Sequence, residues 1–254
     1  MNHINQHRGA FMRSYVMILM IMSALFMQSN AQEARIDTAA VVILDRMGRV
    51  IGDLESCGYQ LSTSRDVMEV YALGYVKHFD EHEIFMVGPD KMLVNSRGDK
   101  GHQGVWYNGS QIAFYSYDEN NYALIDAPSD IISMIDSVNH TFGVDFPAAD
   151  FFYPTFTDDL IDNFDYLRFL GTSVVDGQNS FHIVAKNDEM SVQIWISDDA
   201  YLLPVKMVIA YLDETPTRYY EASFSDWQLN PVLPGVMFEF SPPLSAKQIR
   251  IVAK

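Results

Sequence analysis

The chain has 254 residues, a formal net charge of −16 at neutral pH and a single cysteine. An acidic protein of this kind repels phosphate backbones and anionic membrane surfaces, which argues against nucleic-acid binding. One cysteine, Cys57, excludes an intramolecular disulfide, so packing must hold the fold together, and we expect the thiol to be buried as a small apolar group.

The first 31 residues have the pattern of a secretory signal. A basic start with Arg8 and Arg13 precedes an apolar run, and residues 29–31 fit a small-x-small cleavage site near Ala31. The apolar run is too short for a stable membrane span. We therefore expect a periplasmic protein of one domain, residues 32–254, with a formal charge of −18 after Arg8 and Arg13 are removed.

The mature chain opens with a predicted helix over 36–55. Asp37 or Thr38 can cap it, and apolar residues then recur at helical spacing. Period-two patterns follow and predict strands, with a hairpin tip at residues 79–81 and a turn at residues 88–90. The predicted strands of this part are 58–65, 68–79, 82–87 and 90–95.

The middle of the chain predicts a hairpin followed by two helices. Asn108-Gly109 between the strands 104–107 and 111–117 is a strong hairpin signal. A further strand, 122–126, leads to residues 128–130, which cap a predicted helix over 129–142. A shorter helix is predicted over 157–164.

The C-terminal part has the pattern of consecutive short strands in one antiparallel sheet. Large apolar side chains lie on both faces of these strands, where a sheet wetted on one side would alternate more cleanly. The inner face must therefore be covered, by helices or by an apolar ligand. The predicted strands are 179–186, 191–197, 203–213, 217–229 and 236–240.

Short motifs occur along most of the mature chain: YNG at 107–109, IAFY at 112–115, NYA at 121–123, AP at 127–128, FPAAD at 146–150, GTSVVDG at 171–177, VQIWI at 192–196, LPVK at 203–206, Trp227, and FEFSPP at 238–243. In this order they resemble the DUF2092 family of predicted periplasmic proteins, which is related to the lipoprotein carriers LolA and LolB. Val192 stands where that family usually has a Trp.

The resemblance implies an α+β fold. It would be a curved antiparallel sheet, an incomplete β-barrel of the LolA type, with helices packed across its concave face. In the carriers that concavity holds acyl chains. The carriers' ligand-gating arginine cannot be matched to a residue of this sequence.

The residues give no specific sign of catalysis or of a cofactor. His78 and His82 are the nearest approach to a metal pair, but on strands residues four apart lie about 13 Å from each other. His182, flanked by apolar residues in a predicted strand, is expected to be a hydrogen-bonded structural residue. Asp158-Asp159 and Asp198-Asp199 suit caps and turns. The sequence has no Gly-x-Ser-x-Gly elbow and no Gly-rich phosphate loop.

Two functions remain open at this point. The first is a non-catalytic carrier or sensor that binds an apolar ligand, such as a lipid or an acyl chain, between the sheet and the helices 36–55 and 129–142. The second is a protein-interaction module in envelope-stress signalling, with a filled interior and another envelope protein as partner. The residues predicted to line the cavity are Trp106, Phe114, Tyr122, Ile135, Trp195, Met207 and Trp227.

Overall fold

The computed structural model describes residues 35–71 and 74–251. The signal sequence predicted over residues 1–31 lies outside them and stays a prediction. The α-helices of the described chain are α1 Thr38–Gly52, α2 Ile131–Phe142 and α3 Phe156–Asn163, and two 3-10 helices span Ala149–Phe152 and Gly235–Phe238. The strands are β1 Ser56–Glu69, β2 Gly74–Val87, β3 Lys91–Gly98, β4 Gly101–Tyr107, β5 Gln111–Ser116, β6 Asn121–Asp126, β7 Tyr166–Val175, β8 Gln178–Lys186, β9 Met190–Ser197, β10 Pro204–Tyr211, β11 Arg218–Leu229 and β12 Lys247–Gln248.

All twelve strands belong to one sheet, in the order β12-β6-β5-β4-β3-β2-β1-β11-β10-β9-β8-β7. Two antiparallel meanders, β1–β6 and β7–β11, are joined by the long-range pairing of β1 with β11. The short β12 adds to β6 in parallel. Because β12 and β7 lie at opposite ends of this order, the sheet is open, and the predicted α+β class with an unclosed antiparallel sheet is confirmed.

Helix α1 supplies the apolar stripe on which the sheet packs. Asp37, one of the two residues predicted as possible caps, is its N-cap and accepts a hydrogen bond from the Ala39 amide at 2.9 Å. The helix contacts β7, α3 and the 3-10 helix Ala149–Phe152. Helical spacing places its four buried residues on one face: Ala40, Leu44, Met47 and Ile51.

The sheet curves around the helices. A single hydrophobic cluster contains Leu44 and Met47 of α1, Val94 of β3 and Ile183 of β8. Twelve strands about 4.8 Å apart would span roughly 50 Å if flat, whereas a helix of this length spans about 22 Å. We call the helix-covered side the concave face and the other side the convex face. None of the described helices combines the length and apolar character that a membrane crossing requires.

The C-terminal segment covers the convex face, and here the prediction of a strand over 236–240 is wrong. The chain forms the 3-10 helix Gly235–Phe238, in which the Met237 amide donates to the Pro234 carbonyl at 2.9 Å. Prolines on both sides remove the amide donors that a strand would need. Phe238 is 1% exposed. Residues 235–240, which we call the strap, therefore pack apolar side chains against β3 to β6.

The hairpin tip predicted at residues 79–81 is also wrong. These residues lie inside β2, where Asp80 pairs with Thr63 of β1 and Gly98 of β3. The chain turns instead after Glu69, within the segment predicted as a single strand over 68–79. Charged residues on both faces of β2 have the composition of a turn. The residues that directly follow Glu69, Val70 and Tyr71, are apolar and lack the usual turn chemistry.

Strand β7 was not predicted from the sequence. Gly171, with a φ of 99°, interrupts its apolar alternation, and the register with β8 shifts between Phe169 and Gly171. This is a β-bulge, which adds a residue to one strand and breaks the period of two. By contrast, the hairpin at Asn108-Gly109 and the short helix α3 are confirmed. Helix α2 is confirmed as well, and Asp130, the last residue of the predicted capping segment 128–130, is its N-cap.

A substitution pair tests the strap. Phe238→Ala removes a fully buried ring and should lower the free energy of unfolding by about 3–5 kcal/mol. Val236→Ala, two residues earlier in the same 3-10 helix but 76% exposed, should change it by less than about 0.5 kcal/mol. Urea unfolding of both variants measures the difference. Equal effects would show that the segment does not pack on the sheet.

Candidate functional site

A cleft of about 520 Å³ opens at the end of the sheet where β9 and β11 finish and β10 begins. Its volume falls within the range of about 300–1,000 Å³ that is usual for small-molecule sites. The walls combine aromatic and aliphatic side chains with a few polar groups. The lining residues are Gln178, Ser197, Asp199, Tyr201, Leu203, Pro204, Val205, Phe224, Ser225, Asp226, Trp227 and Leu229.

Trp227 is held rigidly in the wall of the cleft. Its ring stacks on Tyr59 with centroids 4.5 Å apart, and its indole N–H donates to the Pro204 carbonyl at 3.1 Å. Asp226, at a φ of 55°, precedes it, and the register of β11 with β1 shifts beside this point. The bulge turns Trp227 towards the cluster that also contains Phe224, although the two are three residues apart in a strand.

Aromatic side chains fill the space behind the cleft. Tyr59 is buried and stacks with Phe152 at 5.9 Å, and Phe151 meets Phe224 edge-on at 5.4 Å. Phe151 and Phe152 belong to the 3-10 helix Ala149–Phe152 on the concave face. The cleft is therefore a mouth of the half-barrel whose floor is the end of the hydrophobic core.

Asp199 organises the rim of the cleft. One of its carboxylate oxygens accepts hydrogen bonds from the Ser197 hydroxyl at 2.9 Å, the Tyr201 amide at 2.8 Å and the Leu202 amide at 3.1 Å. The Ser197 hydroxyl in turn accepts from the Leu203 amide at 2.9 Å. This is an Asx-type turn, in line with the turn role predicted for Asp198-Asp199. It fixes Tyr201 and Leu203 at the opening.

Four of the seven predicted cavity residues lie on the concave side. Ile135 and Met207 are buried in the hydrophobic core, and Phe114 is half-buried against it. Trp227 is the one that lines the cleft. Sequence reasoning missed Tyr201 and Leu203, because they lie in a loop whose position depends on the Asp199 turn and not on strand alternation.

The other three predicted residues, Trp106, Tyr122 and Trp195, lie on the convex face. Trp106 and Tyr122 contact Phe240 of the strap at ring-centroid distances of 5.0 and 5.5 Å. Trp195 stacks on His182 at 4.3 Å. The structure therefore does not bring these three together with the helices.

His182 has the structural role that was expected for it. Besides its stacking on Trp195, its Nε2 lies 3.0 Å from the Gln193 side-chain oxygen, and burial lowers its pKa. Cys57 is buried as expected, and burial raises the pKa of its thiol to about 12. A thiol in this environment is a poor nucleophile.

A polar cluster occupies the concave face of β1 to β3 at the end away from the cleft. Arg65 pairs with Asp80 at 3.1 Å. His82, which directly follows the hairpin tip predicted at residues 79–81, is buried between the hydroxyls of Ser96 at 2.7 Å and Thr63 at 3.1 Å. Burial lowers its pKa, and Asp80 and Glu81 oppose that shift. Among the described residues no group of His, Cys, Asp and Glu is arranged to hold a metal ion.

Fold and cleft together define a class: open antiparallel half-barrels with helices on the concave face and, at one mouth, a cleft lined by aromatic, aliphatic and polar side chains. The model of the family described as "Predicted periplasmic protein (DUF2092)" matches residues 40–252 of the sequence. The chain therefore belongs to the DUF2092 family, which confirms the resemblance. None of the curated proteins matches the sequence significantly.

Solved structures with a similar backbone include an uncharacterized conserved protein from Thermus thermophilus, which is 12% identical with a TM-score of 0.48 over 84% of this chain and 99% of that one. The lipoprotein LppX of Mycobacterium tuberculosis is 12% identical with a TM-score of 0.43 over 78% and 98%. A LolA superfamily protein from Nitrosomonas europaea is 10% identical with a TM-score of 0.37 over 79% and 97%. Identities this low concern the course of the backbone and not what the proteins bind.

The buried His82 predicts a pH dependence of stability. Its pKa in the folded protein lies below the ordinary value of 6.5, so the unfolded state binds more protons between those two values. The free energy of unfolding should therefore fall as pH drops below about 6.5 towards the folded pKa. His82→Gln should flatten this part of the profile, measured by urea unfolding between pH 7.5 and 5. The exposed His140→Gln should leave it unchanged, and an unaltered profile in His82→Gln would contradict the assignment.

Tyr220 of β11, which pairs with Arg65 of β1, offers a second test of the polar cluster. Its hydroxyl is buried without a hydrogen-bond partner among the described residues. Tyr220→Phe removes that unsatisfied group and should be neutral or stabilise the protein by about 1 kcal/mol. Tyr115→Phe is the matched control, because the Tyr115 hydroxyl donates to Asn120 at 2.9 Å, and it should destabilise by about 1 kcal/mol. Thermal melts of both variants decide; a clear loss of stability in Tyr220→Phe would refute the interpretation.

Proposed function

We propose that this protein is a non-catalytic, exported carrier or sensor that binds an apolar ligand, such as a lipid or an acyl chain, in the cleft at the mouth of the half-barrel. The observation that carries this proposal is the cleft itself, with Trp227 and Phe224 in its wall and Tyr201 and Leu203 at its opening. Membership of a family described as predicted periplasmic supports export.

Binding would be driven by the removal of apolar surface from water. At about 0.8 kcal/mol for each buried methylene, half of a dodecyl chain contributes roughly 5 kcal/mol before the entropic cost of association. The rigid stacking of Trp227 on Tyr59 means that little side-chain order has to be created on binding. The Asp199 turn holds the opposite wall in the same way.

This proposal gives the interior a different role from the one first expected. Ile135 and Met207 lie in the core and would support the wall indirectly. The ligand would enter at the end of the sheet and not along the whole length of α1. Its apolar tail would contact Leu203, Val205 and Trp227.

A displacement assay tests the proposal. The neutral probe N-phenyl-1-naphthylamine should bind with enhanced fluorescence and be displaced by dodecyl maltoside below its micellar concentration. Tyr201→Ser removes an exposed ring from the rim and should weaken binding about tenfold, which corresponds to about 1.4 kcal/mol. Trp227→Phe should weaken it as well, because the indole bond to Pro204 is lost.

The control for this assay is Tyr219→Ser. Tyr219 is exposed to a similar degree as Tyr201 but does not line the cleft. It should bind the probe as the wild-type protein does. Failure of the wild-type protein to bind the probe, or equal loss in Tyr201→Ser and Tyr219→Ser, would reject the proposed site.

Protein binding is the second candidate function, and one observation favours it. The β1–β2 hairpin extends beyond its neighbours, because β2 pairs with β3 only from Asp80 onwards. Large apolar side chains on it are exposed, notably Tyr71 at 99% and Phe79 at 60%. A partner that adds to this hairpin would bury them.

Phe79→Ser should then abolish site-specific crosslinking of the hairpin to an envelope protein, because the exposed ring is lost, while binding of the fluorescent probe in the cleft persists.

A further inference from the structure

The charged residues that line the cleft are all negative. Asp199 and Asp226 contribute two carboxylates, whereas its lining residues, all in the described part of the chain, include no Lys, Arg or His. Among the described residues neither carboxylate takes part in an ion pair. The hydrogen bonds that Asp199 accepts come from a hydroxyl and two amides, which are neutral donors.

The basic residue that directly adjoins the lining residues in sequence, Lys206, pairs with a carboxylate outside the cleft. Lys206 follows the lining residue Val205, but its ammonium group lies 3.6 Å from the Glu221 carboxylate. A carboxylate, sulfate or phosphate group at the mouth would therefore meet two like charges and no counter-charge. Like charges that approach in a partly desolvated site disfavour binding.

Aromatic side chains line the same cleft as these carboxylates. Tyr201 follows Asp199 by two positions and is 57% exposed, and Trp227 directly follows Asp226. Aromatic faces attract ammonium groups through their quadrupole, and carboxylates add a full opposite charge. The combination of aromatic wall and unpaired carboxylates suits a positively charged head on an apolar tail.

We infer that the cleft selects amphiphiles with a cationic, ammonium-type head and discriminates against anionic ones. This rests on the proposed function, because it presupposes that the cleft binds an apolar tail. The tail would contact Leu203, Val205 and Trp227. The head would remain near Asp199 and Asp226, which line the same cleft.

The test uses four amphiphiles that share one dodecyl tail: dodecyltrimethylammonium, dodecylphosphocholine, dodecyl maltoside and dodecyl sulfate. Each is titrated below its micellar concentration, and displacement of N-phenyl-1-naphthylamine gives the affinity. The ammonium compound should bind at least tenfold more tightly than the sulfate, with the maltoside between them. The preference should shrink as salt concentration rises.

A variant pair separates the cleft from the general charge of the protein, since a formal charge of −16 attracts cations everywhere. In the double variant Asp199→Asn and Asp226→Asn, the amide oxygen can still accept the turn hydrogen bonds at 199, and Asn tolerates the φ of 55° at 226. The ammonium preference is expressed as the ratio of the affinities for the ammonium compound and the maltoside, and this ratio should fall towards one in the double variant. Asp198→Asn, next to Asp199 but outside the lining, should keep the preference.

The outcomes distinguish the two proposals. If none of the four compounds binds, the apolar site itself is wrong. If the maltoside binds but the sulfate binds as tightly as the ammonium compound, only the charge selectivity is wrong. A preference that survives in the double variant, or that Asp198→Asn removes equally, also overturns the selectivity.

Discussion

The structure depends on the packing of the apolar stripe of α1 into the concave face of an open sheet. Because the first and last strands do not meet, no ladder of backbone hydrogen bonds closes the barrel. Curvature must then be held from the inside. Leu44 and Met47 are fully buried in the cluster that joins strands from both meanders. Burying each such side chain stabilises the fold by about 1.5–3 kcal/mol, so the packing of the helix can hold the sheet in its curved form.

An open half-barrel has ends, and the two ends of this one differ in chemistry. At one end, Tyr59 and Trp227 lead from the core to the cleft. At the other, Arg65, Asp80 and His82 belong to a polar cluster whose ion pair and hydrogen bonds link β1, β2 and β3. At the cleft end, the Asp199 turn satisfies the polar groups of the rim, and the aromatic and aliphatic side chains of the walls can exchange water for a ligand.

Much of the fold can be predicted from the sequence because its signals are local. Helical spacing and the Asp37 cap define α1, and Asn108-Gly109 defines a hairpin without any tertiary contact. The predictions were wrong at the reversal after Glu69 and at the 3-10 helix Gly235–Phe238. In these segments tertiary packing and proline override the strand pattern. Pattern alone shows that a strand has two faces, but not which face the helices cover.

Because alternation does not show which face of a strand points inward, most of the residues that line the cleft could not be predicted from the sequence. Ile194 and Ile196 lie in the core, so alternation sends Trp195 to the convex face, but the sequence does not say which set points inward. At Trp227 the bulge beside Asp226 changes the alternation, and only the folded structure reveals it. Tyr201 and Leu203 depend on a turn closed by Asp199. The cleft is thus built from a bulge and a loop, the two features that periodicity does not describe.

The most direct measurement is a crystal structure of the protein soaked with 12-bromododecanol, a neutral amphiphile whose bromine can be located by anomalous scattering. We expect a bromine peak inside the cleft, about 4 Å from side-chain atoms of Leu203, Val205 or Trp227. A peak between α1 and the sheet, or none at a saturating concentration, would contradict the assignment of the ligand site to the mouth of the half-barrel.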